Sequence, residues 1–212
     1  MEDRNNAGLY LELLNADADE YRRNRAAELV GLTGVERVSL WANLKPGRQE
    51  LPMKVPDGTL LAVAEVTDDF RAPAAPTTAT AFHFTRYPRP SQGCLTAAPT
   101  RGLLLVWISP KRPELAQALR DWADFIHLRH IAAAGVEGYT EITPYENVAG
   151  GDPRFMHLYE MDSSDPEATY QAMPRRVADR LGGQASAAYA EWADLSRAGG
   201  HIVYCNTFRL IG

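Results

Sequence analysis

Gly8-Leu9-Tyr10-Leu11-Glu12-Leu13-Leu14 and Gly102-Leu103-Leu104-Leu105-Val106-Trp107-Ile108 are two apolar stretches, each opened by a glycine. Each reads as a β-strand closed by turn residues, Asn15-Ala16-Asp17 after the first and Ser109-Pro110 after the second. A helical pattern follows each, over residues 19–30 and 113–133. Pro113 stands near the second helix's start, where its missing N–H costs no hydrogen bond. Leu115, Leu119, Trp122 and Ile126 mark one buried helix face.

The parallel continues. Gly34 opens a strand over 34–43, and Gly138 opens one over 138–147. Trp41 and Tyr145 stand at the same offset from their glycines, as do Asn43 and Asn147. A third strand, 60–66, lines up with 155–161, and Glu65 falls on Glu160. The second half then starts a helix at Asp165-Pro166-Glu167: an N-cap, a first-turn proline and an acid suited to the helix dipole. Helical patterns run through Leu181 and over 185–197, before a last strand over 202–210. In the first half a Pro/Ala/Thr-rich stretch, 71–78, occupies the place of that second helix, and a strand over 81–87 closes the half. The expected fold is α+β: two ferredoxin-like β-α-β-β-α-β units. Residues 1–87 form the first, degenerate in its second helix, 88–100 a linker and 101–212 the second unit. Such a unit leaves one sheet face bare, and two units can bury those faces against each other. One irregular α+β domain with a coincidental repeat is the alternative.

Composition limits the function classes. The chain has 212 residues, 45% hydrophobic and 23% charged, the balance of a globular protein rather than a disordered one. The run Leu103–Ile108 is far too short to span a bilayer. Net charge is −5, from 22 basic and 27 acidic residues, which argues against a nucleic-acid partner. Met1–Asn6 lacks the basic and apolar regions of a signal peptide. Two cysteines, Cys94 and Cys205, make no disulfide framework, so a cytoplasmic location is expected. There is no Gly-x-Ser-x-Gly elbow and no phosphate-binding glycine motif.

The segment Phe125-Ile126-His127-Leu128-Arg129-His130-Ile131, continuing through Gly138-Tyr139 to Tyr145 and the strand 155–161, resembles the dimeric α/β-barrel superfamily, in particular its EthD-type branch. Ile126, Arg129 and Glu137 depart from that branch's pattern. The resemblance implies a barrel which single-copy members close by dimerising and which this chain would close from one polypeptide, as a monomer or weak homodimer. It also implies a choice among cofactor-independent monooxygenases, polyketide cyclases, ring isomerases, haem enzymes and proteins without catalysis. Fold alone does not choose among them.

The chemistry expected of the second half is acid–base. His157 and Tyr159 are two apart on a strand and share a face, while the first half has Ala62 and Ala64 there. His130 continues the stripe of Leu119, Trp122 and Ile126, and His127 borders it. His130 is expected to act as general base, Tyr159 as oxyanion donor and His157 as the orienting group. His127, Trp107, Trp122, Tyr139, Tyr145 and Phe155 are expected to line the pocket of an aromatic polyketide-like or quinol molecule. That pocket is expected in the second half only, with no metal and no cofactor. A metal or haem held by His127, His130 and His157 is a weaker reading, as are a non-catalytic binding or stress-response protein and a pure assembly module.

Overall fold

The computed structural model describes residues 7–87 and 93–211. Its strands are β1 (Gly8–Leu14), β2 (Val35–Asn43), β3 (Leu60–Val66), β4 (Ala79–Arg86), β5 (Gly93–Cys94), β6 (Gly102–Pro110), β7 (Tyr139–Asn147), β8 (Phe155–Met161) and β9 (Gly200–Leu210). Helix α1 covers residues 18–30 and α2 covers 113–133. Helices α3 (Pro166–Arg180) and α4 (Ala187–Ala193) follow β8. Gly34 and Gly138, the glycines before β2 and β7, have φ of 81° and 90°, a left-handed turn that a side chain would strain. The expected N-cap is present: Asp165 accepts from the Ala168 amide at 3.0 Å, and Pro166 opens α3.

Strand order is β4-β1-β3-β2 through the first half and β9-β6-β8-β7 through the second, so the two halves are wound alike. Register matches too: Gly8 lies opposite Val66 on β3, and Gly102 opposite Met161 on β8. Two antiparallel seams join the halves. At one, Trp41, Ala42 and Asn43 of β2 pair with Leu210, Arg209 and Phe208 of β9. At the other, Phe84, Thr85 and Arg86 of β4 pair with Asn147, Glu146 and Tyr145 of β7. With both seams made, eight strands form a closed ring, and no long strand edge is left open.

Odd-numbered β1 residues, Leu9, Leu11 and Leu13, fill the ring's interior with Leu103, Leu105 and Trp107 of β6. The alternate residues face outward to the helices. The connection 44–59 leaves the first half and lies on the second. Lys54 N–H donates to Val203 O at 2.8 Å, and Tyr204 donates to Asp57 Oδ1 at 2.6 Å. Arg48, 5% exposed, meets Glu167 at the start of α3 and Asn206 of β9. Part of the expected linker, residues 88–92, lies outside the described residues. Its later part is not a free linker, because Gly93 and Cys94 pair with Ile142 and Glu141 of β7.

The helix–sheet layers of the two halves are filled differently. In the first, Glu12 is fully buried and accepts from Tyr10 at 2.9 Å, Tyr21 at 2.7 Å and Arg25 at 2.6 Å. The small side chains of Ala62 and Ala64 lie in the same layer. Glu12→Ala removes the acceptor on which two hydroxyls and a guanidinium converge. Urea unfolding is expected to show a loss of about 3–5 kcal/mol, the cost of leaving a buried charge without its partner.

Candidate functional site

The corresponding layer of the second half is hollow. A cavity of about 270 Å³ lies between β6, β8 and β9 on one side and α2, α3 and α4 on the other. Val106 replaces the first half's buried glutamate there, and His157 and Tyr159 stand at the alanine positions. Its walls also carry Trp122 and His127 from α2, Tyr170 and Met173 from α3, and Tyr189 and Trp192 from α4.

His127 is held on both faces. Its ring stacks on Trp122, with centroids 4.9 Å apart, and on Trp192 at 5.0 Å, with an interplanar angle of 7° to the latter. Its Nδ1 lies 3.0 Å from Trp192 O. A carbonyl only accepts, so Nδ1 carries the proton and Nε2 is left as the lone-pair nitrogen of the neutral ring. Trp192 Nε1 returns a hydrogen bond to His127 O at 3.1 Å. Burial lowers the His127 pKa to about 4, opposed in part by the bond to Trp192. His157 is 2% exposed, and burial, then the neighbouring His127, lowers its pKa to about 3. His157 Nε2 is buried and without a hydrogen-bond partner. Burial raises the Tyr159 pKa well above its ordinary value, so this ring keeps its hydroxyl proton. At neutral pH the cavity therefore offers two neutral imidazoles and a protonated phenol among apolar walls.

The structure brings His157, Tyr159, His127 and Trp122 to this cavity, but not His130. Helix α2 is wound more widely over Ala123–Leu128, with π-type spacing. That wide turn shifts the phase of the stripe, so Ala123, Leu128 and Ile131 turn inward after Leu119. Ile126 and His130 rotate off the face that an unbroken α-helix would give them. His130 is half-buried, with its pKa lowered by burial and by Arg180 and Arg129.

Four expected lining residues also lie elsewhere. Trp107 shares its strand face with Leu103 and Leu105, inside the ring. Tyr145 is inside the ring as well, because a register irregularity between Tyr139 and Glu141 flips the alternation along β7. Tyr139 stays on the helix side, its ring 5.7 Å from Tyr159, but in the packed core. Phe155 packs with Tyr87, Ile108 and Leu119 beyond the cavity.

Sequence reading missed Tyr170, Met173, Pro174, Tyr189 and Trp192, although Tyr189 and Trp192 have the spacing of one helix face. Cys205 also lines the cavity, and burial raises its pKa to about 11. The expectation of a single hollow also needs correction. A larger one, about 920 Å³, lies on the first half where the second helix is missing. Among the described residues no group of three or more His, Cys, Asp or Glu side chains could hold a metal ion. No described helix is long and apolar enough to cross a membrane.

No family model matches the chain, and no curated protein matches it. Solved structures do. One of an anthrone oxidase-like protein is 13% identical, with a TM-score of 0.53, covering 100% of this chain and 94% of its own. A candidate monooxygenase from Fusobacterium nucleatum is 9% identical, with a TM-score of 0.52 and coverages of 96% and 90%. A mutant chlorite dismutase from Candidatus Nitrospira defluvii is 10% identical, with a TM-score of 0.52 and coverages of 100% and 93%. At such identities the likeness is one of fold, the ferredoxin-like α/β barrel.

The depressed histidines make stability depend on pH with a fixed sign. Below the ordinary imidazole pKa near 6.5 the unfolded chain takes up protons that folded His127 and His157 do not bind until about pH 4 and 3. Their contribution is complete above pH 6.5 and is lost as pH falls toward those values. Urea unfolding across this window is expected to show stability dropping with acid. His157→Gln is expected to reduce the slope by about one proton.

Proposed function

We propose that this protein is a cofactor-independent oxygenase that takes an electron-rich aromatic molecule, an anthrone or a quinol, into the cavity of its second half. The observation that carries the reading is the buried, unpartnered Nε2 of His157, on a residue lining the same apolar cavity as Tyr159. A substrate hydroxyl or acidic C–H would bring that nitrogen the partner it lacks. The names of the anthrone oxidase-like and monooxygenase neighbours support the same class.

In this reading a neutral imidazole, His157 or His127, accepts the proton of an anthrone C–H. The carbanion forming beside it offsets the desolvation that disfavours imidazolium in the empty site. Tyr159 donates to the oxygen on which the charge delocalises. The carbanion passes one electron to dioxygen, and the resulting radical and superoxide couple to a peroxide anion. That anion takes the proton back from imidazolium. The hydroperoxide then loses water as its geminal C–H proton departs, leaving the ketone. Anthrone and O₂ thus become anthraquinone and water. Base-initiated aldol cyclisation of a polyketide needs the same residues without oxygen. A second reading, binding without turnover, is favoured by how far burial holds both imidazoles below the range of an effective base.

The two halves are, on this view, copies of one module that duplicated within an EthD-like lineage. Their common strand order and the matching Gly8–Val66 and Gly102–Met161 registers support it.

Oxygen uptake with dithranol, a hydroxylated anthrone, tests the proposal. His157→Gln is expected to lower kcat/KM by about 100-fold or more. His130→Ala, outside the cavity, is expected to change it less than about threefold. Equal loss in both variants would remove His157 from the role of base. Saturable dithranol binding without oxygen uptake would establish the second reading instead.

A further inference from the structure

In the second half, α3 lies across β9 and β6. The equivalent strands of the first half are β4 and β1; α1 reaches β1 through Tyr21, Arg25 and Leu29, but no described second helix lies over β4 as α3 lies over β9. Ala72-Pro73-Ala74-Ala75-Pro76 runs past instead, its prolines unable to donate the hydrogen bonds of a helix. Arg25, anchored on buried Glu12, donates to Ala74 O at 3.1 Å and ties this segment to α1. The hollow of about 920 Å³ lies at this uncovered position, a volume in the range of small-molecule sites.

Its walls combine aromatic rings with cations. Tyr10 and Phe70 have centroids 5.6 Å apart, and the His83 ring meets Phe70 edge-on at 5.2 Å. Burial, then the nearby charge of Arg71, lowers the His83 pKa. On the opposite wall Arg154 is paired with Glu146, which Arg120, outside the groove lining, also reaches at 3.3 Å. Arg154 Nε is buried without a hydrogen-bond partner. The one further carboxylate on the walls, Asp68, is exposed. The turn around Val148, whose N–H donates to His83 O at 2.9 Å, borders the groove beside β4.

We propose that this groove is a second ligand site, separate from the histidine cavity, which takes an amphipathic aromatic anion: rings against Phe70 and His83, the acid toward Arg71. The probe is 1-anilinonaphthalene-8-sulfonate, with neutral N-phenyl-1-naphthylamine as the uncharged control. The sulfonate is expected to bind saturably and more tightly than the neutral amine. Arg71→Met is expected to raise its Kd about five- to tenfold, and Arg71→Lys to restore most of the loss. Ala81→Trp, which fills the groove floor, is expected to abolish binding, while His157→Gln leaves it unchanged. Unchanged thermal unfolding of each variant excludes loss of fold as the cause. The proposal is overturned if Arg71→Met and Ala81→Trp bind as the parent does, or if binding is lost with His157→Gln. It is overturned equally if Ala81→Trp abolishes a concentration-dependent dimer seen in sedimentation, which would give the groove to a second copy.

Discussion

Each four-stranded sheet carries an apolar face that its own helices do not cover. Those two faces bury one another inside the ring, and the closure is held by two short seams of backbone pairing. The interior is filled by Trp107, Tyr204, Phe84 and Phe208, all essentially unexposed. Burying side chains of this size contributes of the order of 2 kcal/mol each. Neither half could keep such a surface in water by itself. The outer layers, where both hollows lie, depend on this interior for their frame.

Within that frame the halves have diverged by what fills the space between sheet and helix. The first spends it on a carboxylate satisfied by two tyrosines and an arginine, and its hollow lies beside that cluster, where the second helix is missing. The second puts a valine at the glutamate's place and imidazole and phenol rings at the alanines'. The rings do not fill the layer, and burial there keeps two histidines neutral at neutral pH. The connection 44–59 reaches from the first half to the second through Arg48 and Asp57, so the wall behind β9 and the start of α3 is braced from across the seam.

Strand limits were legible because alternation and glycine punctuation are local: β1, β3 and β8 have the ends read from the sequence. His157 and Tyr159 were legible as a pair because a regular strand puts alternate residues on one face. His130 and Tyr145 were not, for related reasons. A wide turn in α2 and an irregularity in β7 each move the phase by a residue, and nothing in the periodicity announces them. Trp192, which stacks on His127 and fixes its proton, was hidden because the pairing spans 65 positions of sequence.

The order of elements, the apolar faces and the asymmetry between alanines and proton-bearing rings follow from the sequence alone, since each rests on neighbours a few residues apart. Which histidine meets the cavity, which tautomer it holds and where the missing helix leaves room were decided only by the tertiary structure. Those properties arise where distant segments share one volume, and packing there determines which side chain occupies it.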